Sequence, residues 1–94
     1  MKPLRFEWDT AKADSNLKKH KISFEEAKTV FWDEHARLIP DPDHSEEEER
    51  FIIMGLSTNL KLLTVCHCYR HSGQVIRLIS ARKATKQETF FYRR

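Results

Sequence analysis

The stretch from Val75 to Ala84, VIRLISARKA, alternates its side chains with a period of two, which is the pattern of a β-strand. Both of its faces carry branched apolar residues, as in a central strand that is covered on two sides. Arg77 lies among these apolar residues, and Arg82 and Lys83 follow at the end of the strand. Because three cations fall within one short segment, we expect this strand to be the centre of both the fold and the functional site.

Strict alternation has a consequence for the two arginines of this strand. Arg77 and Arg82 are five residues apart, so a regular strand would point them to opposite faces of the sheet. Only one of them would then reach a common ligand. A bend or bulge near Ala81 would bring both to one face, and we predict one there.

Four other segments have strand patterns. The stretch 4–8 is predicted to be a short edge strand, 36–39 a short strand and 49–56 a buried strand. Residues 57–59 supply a turn, after which 61–70 forms the second strand of a hairpin. Alternation places the side chains of this last strand on two sides, with Leu63, Val65, His67 and Tyr69 on one and Leu62, Thr64, Cys66 and Cys68 on the other.

Two helices are predicted between the first two strands. Asp9 is a good N-cap for a helix over 10–20. Ser23 with Glu26 has the spacing of a capping box, which predicts a second helix that ends near Trp32. The apolar residues of the second helix recur at helical spacing, so we expect them to pack on the sheet: Phe24, Ala27, Val30 and Phe31. The first helix has few apolar residues and is predicted to be only partly buried.

A third, short helix is predicted at the end of the chain. Thr85 and Glu88 form another capping box ahead of it. We expect Phe90 or Phe91 to be part of the core and Tyr92 to be the aromatic residue directed towards a ligand.

The order strand, two helices, four strands, helix is typical of an α+β domain. We predict an antiparallel sheet of four to five strands, with the two N-terminal helices on one face and the short C-terminal helix at the end. Pro40 and Pro42 stop the second strand, and an acidic loop runs on to about Glu48. The other face of the sheet is left open, and function is expected there.

Length and composition agree with one small domain over residues 1–94. The sequence has no run of about 18 apolar residues and no apolar segment of a signal peptide near its N-terminus, so a cytoplasmic protein without a membrane association is expected. Cys66 and Cys68 lie two apart on one strand, which is a poor geometry for a disulfide, so they are interpreted as reduced thiols.

Charge is divided unevenly along the chain. Residues 61–94 carry eight basic and one acidic side chain, whereas residues 33–49 carry eight acidic and one basic. The acidic run is interpreted as a solvated surface, but the basic half is predicted to attract nucleic acid. The candidates for RNA binding in and around this half are Lys61, Arg70, Lys83 and Tyr92.

Arg50, Arg77 and Arg82 come from neighbouring predicted strands, so they could converge on a phosphate, which a guanidinium meets with a planar fork. In RNA the 2'-hydroxyl can attack the adjacent phosphate without a metal, if one group takes its proton and cations stabilise the transition state. His67 and Glu49 are the candidate proton-transfer groups. The alternative is that they are a satisfied strand histidine and a solvated rim residue.

A metal site is not favoured by the sequence. Cys66 and Cys68 share one side of their strand while His67 lies on the other, and two ligands do not complete a tetrahedral zinc site. There is no Gly-rich phosphate loop and no serine or cysteine in a nucleophile motif, so we expect neither a metal nor another cofactor.

The chain resembles the BrnT family of toxins. The residues that carry the resemblance span almost the whole chain: Phe6-x-Trp8-Asp9, Asn16, Lys19-His20, Ile22-Ser23-Phe24, Glu26-Ala27, Val30-Phe31, Asp33, Glu49-Arg50, Gly55, Ile76-Arg77-x-Ile79-Ser80-Ala81-Arg82, Ala84, Glu88 and Tyr92. One departure is Lys21, where family members often have a glycine after the Lys-His pair. A left-handed helix end there would cost a residue other than glycine roughly 1 kcal/mol.

The resemblance implies a RelE-like fold and a type II toxin-antitoxin system, whose toxin is a metal-independent ribonuclease that arrests translation. It implies a BrnA-type antitoxin, a ribbon-helix-helix DNA-binding protein that forms a hetero-oligomer with the toxin and represses their operon. The substrate would be RNA, which is expected to be ribosome-associated. The family's site positions correspond to Arg50, Arg77 and Arg82, and to Glu49, Glu88 and Tyr92. An alternative is a non-catalytic co-repressor whose basic face only binds its partner.

Overall fold

The structure of the protein is a computed structural model that describes residues 4–41 and 48–94. Its elements, in chain order, are β1 Phe6–Glu7, α1 Thr10–His20, α2 Phe24–Ala27, β2 Arg37–Pro40, β3 Phe51–Leu56, β4 Leu62–Arg70, β5 Val75–Lys83 and α3 Lys86–Arg93. A 3₁₀ segment, Lys28–Trp32, continues directly from α2. Most of the predicted acidic loop, residues 42–47, lies outside the described residues. No helix in the described ranges is long and apolar enough to cross a bilayer.

The strands form one five-stranded sheet in the order β1-β5-β4-β3-β2. Strands β2 to β5 are antiparallel neighbours, as predicted, but β1 joins the edge of the sheet parallel to β5, with Glu7 opposite Arg77. Strands that are joined by a tight turn must be antiparallel. Most of the chain lies between β1 and β5, so no turn joins them and they can pair in parallel. The predicted α+β fold is confirmed, with a sheet that is mixed at this edge.

One face of the sheet, here the helix-covered face, packs against α1, α2 and the 3₁₀ segment. Its side chains include Ile53, Leu63, Val65, Leu78 and Ala81. The layer above it contributes the buried residues Ile22 from the α1–α2 connection, Phe24 and Ala27 from α2, and Val30 from the 3₁₀ segment. The apolar spacing of the second predicted helix therefore did identify the residues that form the core.

Asn16 fixes α1 to the end of β5. Its side-chain nitrogen donates to the carbonyl oxygens of Ile22 at 2.9 Å and Ala81 at 2.8 Å, and its oxygen accepts from the backbone N–H of Ala81 at 3.0 Å. The buried amide thus satisfies both the N–H and the carbonyl oxygen of Ala81. These groups need another partner because β1 is only two residues long and does not extend beside this part of β5. This holds the part of β5 that carries Arg82.

The helix ends follow most of the predicted signals. Asp9 caps α1, and Thr85 and Glu88 form a reciprocal capping box on α3. Lys21 ends α1 in the left-handed region at φ 63°, so the chain adopts this conformation without a glycine. The predicted box on α2 is only half formed, because Ser23 accepts from the N–H of Glu26 while the Glu26 carboxylate accepts from the Ser57 hydroxyl at 2.8 Å.

Helix α3 lies against the opposite face of the sheet, beside β2 and β3. None of its eight residues, all of which the structure describes, is buried. The prediction that Phe90 or Phe91 joins the core is therefore wrong: Phe90 is 71% exposed, and the Phe91 ring lies 5.5 Å from the guanidinium carbon of Arg37. The core is already filled from the helix-covered face, so this short helix lies on the opposite face, where Phe91 lines a small groove with Ile52 and Met54.

Candidate functional site

A β-bulge in β5 decides which side chains reach the face opposite the helices. Cys66 of β4 pairs with Ser80, but the next residue, His67, pairs with Leu78, so Ile79 is an extra residue in β5. Arg82 is paired with Thr64 and Arg77 with Cys68. Thr64, Cys66 and Cys68 alternate along β4 and share one face, so both arginines lie on that face. The predicted bulge is confirmed, two residues before Ala81.

This face, here called the arginine face, carries Arg50, Arg77 and Arg82. Arg50 and Arg82 line a common cavity of about 330 Å³. The Cys68 thiol of β4 lies close enough to Arg50, Arg70 and Arg77 for the charge of each to affect its pKa. These three arginines therefore surround the same part of β4. The three arginines predicted from the sequence are therefore brought together.

Each of these arginines is bonded to a carboxylate. Arg77 donates to Glu7 of β1 at 2.7 Å, and Arg50 donates from Nε to Glu48 at 3.2 Å. The side chains of Arg50 and Arg77 are 26% and 31% exposed, so a ligand that approaches the face can still reach them.

Arg82 makes a two-pronged bond with Glu88, with nitrogen–oxygen distances of 2.7 and 2.9 Å. Glu88 also accepts from the Thr64 hydroxyl at 3.0 Å and from the Thr85 backbone N–H at 2.8 Å. The bond from Arg82 and these two further donors lower the pKa of Glu88 to about 2, although burial works in the other direction. Glu88 therefore stays charged and fixes the guanidinium above the end of β5.

The two thiols of this face are held in the protonated form. Burial and the carboxylate of Asp41 raise the pKa of Cys66 to about 11. Burial and Glu48 also raise the pKa of Cys68, despite the surrounding arginines. Neither cysteine is therefore a thiolate nucleophile at neutral pH.

His67 is not part of this arrangement. It is fully buried on the helix-covered face, where its ring centroid lies 4.9 Å from that of Phe31 and its Nε2 lies 3.3 Å from the Tyr69 hydroxyl oxygen. Burial lowers the pKa of His67 to about 4. It alternates with Cys66 and Cys68 along β4 and so lies across the sheet from the arginines. The structure thus does not support the proton-transfer role expected for it.

The other sequence candidates are distributed over several surfaces. Arg70 lies on the arginine face and bonds Glu48 at 3.1 Å, while Glu49 is exposed just before β3. Lys61 lies 3.8 Å from Glu26 of α2.

Lys83 and Tyr92 also lie apart from the arginines. Lys83 is exposed and pairs with Leu63, whose side chain lies on the helix-covered face. The Tyr92 hydroxyl donates to Asp33 at 2.6 Å, and burial and this carboxylate raise its pKa to about 12. Tyr92 therefore fixes α3 to the end of the 3₁₀ segment, and of these candidates only Arg70 accompanies the three arginines.

Residues 8–88 of the chain match the family model for the ribonuclease toxin BrnT of type II toxin-antitoxin systems. The chain belongs to the BrnT family. The fold agrees with this: the 1.1 Å crystal structure of the Brucella abortus ribonuclease toxin BrnT is similar to it with a TM-score of 0.68, at 20% sequence identity, over 89% of this chain and 100% of that one. No curated protein matched the chain at a significant level.

Membership of the family makes this protein a ribonuclease toxin of a type II toxin-antitoxin system, which implies an antitoxin as its partner. The resemblance of the fold to RelE-like toxins stays a prediction.

Sequence reasoning missed several residues of this candidate site, most of them carboxylates. Glu7 and Glu48 hold arginines, and Asp41 lines the cavity beside Arg50. Asp41 lies between Pro40 and Pro42, the two residues that are predicted to stop the second strand. A signal was present, because Asp41 continues the period-two alternation of Arg37 and Ile39 along β2.

Proposed function

We propose that this BrnT-family toxin cleaves RNA on its arginine face, without a metal, by attack of a 2'-hydroxyl on the adjacent phosphate. The observation that carries the proposal is the presence of Arg50, Arg77 and Arg82 on one face of the sheet. Guanidinium groups match the geometry of phosphate oxygens and stabilise the charge that develops on them in the transition state. Arg70, on the same face, extends the cationic surface that an RNA backbone would follow.

The ion pairs of the site are compatible with this role because arginine has five N–H donors. The bond from one terminal nitrogen of Arg77 to Glu7 leaves donors for a phosphate. Carboxylates that fix the guanidinium groups in advance reduce the entropy that is lost when a substrate binds.

The partner proposed for this toxin is a BrnA-type ribbon-helix-helix antitoxin, which forms a hetero-oligomer with it and through which the pair contacts operator DNA. The proposed substrate is cytoplasmic, ribosome-associated RNA, whose cleavage arrests translation.

The test is cleavage of a labelled single-stranded RNA by purified toxin that has been freed of antitoxin, in the presence of EDTA. We expect products with 2',3'-cyclic phosphate ends. Arg77→Ala and Arg82→Ala should each reduce the rate about 100-fold or more, the loss seen when one transition-state donor is removed. Lys12→Ala, on the exposed surface of α1, is the matched control and should cleave like the wild type. Intact RNA and normal growth after induction of the wild-type toxin would contradict the proposal.

A second function, a non-catalytic co-repressor, is favoured by one observation: each of the three arginines already has a carboxylate partner within the chain. Such an arrangement needs no substrate to be stable. In that case Arg77→Ala would weaken the complex with the antitoxin, and the wild-type protein would show no toxicity. In the ribonuclease case the same substitution abolishes toxicity while the complex survives.

A further inference from the structure

A small groove lies between α3 and the sheet on the arginine face. Among the described residues it is lined by Ile39 of β2, Ile52 and Met54 of β3, and Gln87, Glu88 and Phe91 of α3. Its floor belongs to the arginine face because Ile52 pairs with Cys66 and Met54 with Thr64. The volume of the groove is about 210 Å³, below the roughly 300–1,000 Å³ of most ligand pockets. The groove is therefore suited to one ring system rather than to a whole nucleotide.

The groove adjoins the cavity that holds Arg50 and Arg82. Ile52 lines both of them. Glu88 lines the groove and bonds the guanidinium of Arg82 at 2.7 and 2.9 Å, and it also accepts from the Thr64 hydroxyl at 3.0 Å. An RNA strand with a phosphate on Arg82 would therefore have a base within reach of the groove.

The side chains of the groove suit a base better than a phosphate. Its aliphatic floor offers no hydrogen-bond donor, and the charged carboxylate of Glu88 repels an anion. Phe91 supplies a flat ring that is half-buried, with the guanidinium carbon of Arg37 at 5.5 Å from its centroid. Aromatic rings beside cations are the usual composition of a site for single-stranded nucleic acid. The exposed amide of Gln87 has the donors and the acceptor that the edge of a base requires.

We propose that this groove binds the base next to the scissile phosphate, with Phe91 stacking on the ring and Gln87 bonding its edge. This inference rests on the proposed ribonuclease function and names the part of the substrate that α3 recognises. The arginines contact phosphates, which are the same in every nucleotide, so they carry no sequence information. The groove gives the toxin a preference among RNA sequences at the position of the cut.

The first test measures the affinity of antitoxin-free toxin for two single-stranded DNA oligonucleotides of equal length, by fluorescence anisotropy. Both lack the attacking 2'-hydroxyl and so stay intact, and one carries its bases while the other is abasic throughout. We expect the wild type to bind the strand with bases about 10-fold more tightly, as for one stacked base. Equal affinity for the two strands, or affinity for neither, overturns the proposal.

Phe91→Leu separates stacking from phosphate binding. Leucine keeps an apolar side chain but removes the flat ring, so the preference for the strand with bases should disappear while affinity for the abasic strand stays unchanged. Phe91→Tyr keeps the ring and should keep the preference. Phe90→Leu changes the neighbouring residue of α3, whose side chain is 71% exposed, and should bind both strands like the wild type.

Two outcomes for Phe91→Leu contradict the role of Phe91. An equal loss of affinity for both strands means that the substitution displaced α3 and Arg82 rather than a stacked base. A preserved preference for bases together with weaker binding of the co-expressed antitoxin makes the groove a docking surface for protein.

The role of Gln87 is tested separately, at an exposed position where folding is not at risk. Gln87→Met keeps the length of the side chain and removes its hydrogen bonds. We expect the cleavage sites in an RNA of mixed sequence to become less selective for the base next to the cut. Gln74→Met, in the exposed turn between β4 and β5, is the matched control and should keep the wild-type pattern. An unchanged pattern in Gln87→Met overturns the contact with the base edge.

Failure of this proposal is distinguishable from failure of the ribonuclease function. Cleavage by the wild type, with an unchanged base preference in Phe91→Leu, overturns the base site alone. Absence of cleavage by the wild type, with a base preference that Phe91→Leu removes, overturns the ribonuclease function and leaves a groove that binds nucleic acid.

Discussion

At the scale of single residues, His67 shows how strongly burial overrides chemical type. Its imidazole is enclosed by three aromatic rings, with centroid distances of 4.9 Å to Phe31, 6.2 Å to Phe51 and 5.3 Å to Tyr69. A charged imidazolium would lose its hydration in this environment, so the neutral form is favoured and the pKa falls to about 4. A histidine on a strand in a basic half suggested catalysis, but in the fold it acts as a core aromatic residue.

This burial predicts a pH-dependent stability. The unfolded chain binds a proton on His67 below its ordinary pKa of 6.5, whereas the folded protein binds it only near pH 4. Stability is therefore full above pH 6.5 and declines as the pH falls towards 4, by up to about 3 kcal/mol. Urea unfolding across this window should show a smaller decline for His67→Phe than for the wild type. His71→Asn, in the exposed β4–β5 turn, is the control and should keep the wild-type decline; equal slopes for all three proteins would contradict the prediction.

At the scale of elements, α3 has no buried residue, and polar contacts fix both of its ends. Glu88 completes the capping box at the start of the helix and also binds Arg82 and Thr64, and Tyr92 binds Asp33 near the other end. The same contacts that dock the helix also hold a guanidinium of the proposed site. Helix α3 therefore contributes to the arrangement of the arginine face as well as to the fold.

Glu88→Gln is expected to destabilise the protein by up to about 1 kcal/mol at neutral pH through the loss of the charged pair with Arg82, which solvent partly screens, because glutamine can keep the capping-box bond. Since the pKa of Glu88 is lowered from 4.5 to about 2, its contribution is present above pH 4.5 and is lost as the pH falls towards 2. Urea unfolding of both proteins should therefore converge over that range. Glu25→Gln breaks an exposed pair with Lys28 and should have little effect at any pH. A difference between wild type and Glu88→Gln that persists at pH 2 would argue against this role of the carboxylate.

At the scale of the whole molecule, the position of the charges matters more than the net charge of +3. The arginine face collects cations from β4, β5 and the residue before β3, whereas Lys12 and Lys18 on α1 lie with the helices on the other side of the sheet. An RNA strand that follows the arginine face would release counterions there.

This distribution predicts the salt dependence of binding. The affinity for a non-cleavable single-stranded oligonucleotide should fall as salt increases, with a logarithmic slope of about −0.7 per phosphate that is neutralised. Arg77→Gln should reduce both the affinity and the slope, because it removes a cation that is proposed to contact phosphate. Lys12→Gln makes the same change in net charge on α1 and should change neither. Equal effects of the two variants, measured by fluorescence anisotropy, would indicate that only net charge attracts the RNA.

Much of the fold was predictable because its signals are local. Asp9 and Thr85 mark helix starts by their own hydrogen bonds, and the alternation along β4 separates the buried Leu63 and Val65 from Thr64 on the arginine face. Even the bulge in β5 followed from a conflict within the sequence, since two arginines five residues apart cannot share a face of a regular strand.

The sequence by itself therefore determined the elements, the inward residues of the helices and the arginines of the candidate site. Only the tertiary structure decided which groups surround them. Glu7 reaches Arg77 across 70 positions of the chain, and Asp41 meets Cys66 across 25. His67 became a core residue because the 3₁₀ segment packs over it. These outcomes depend on which strands become neighbours and which face the helices cover, and neither is encoded in a local pattern.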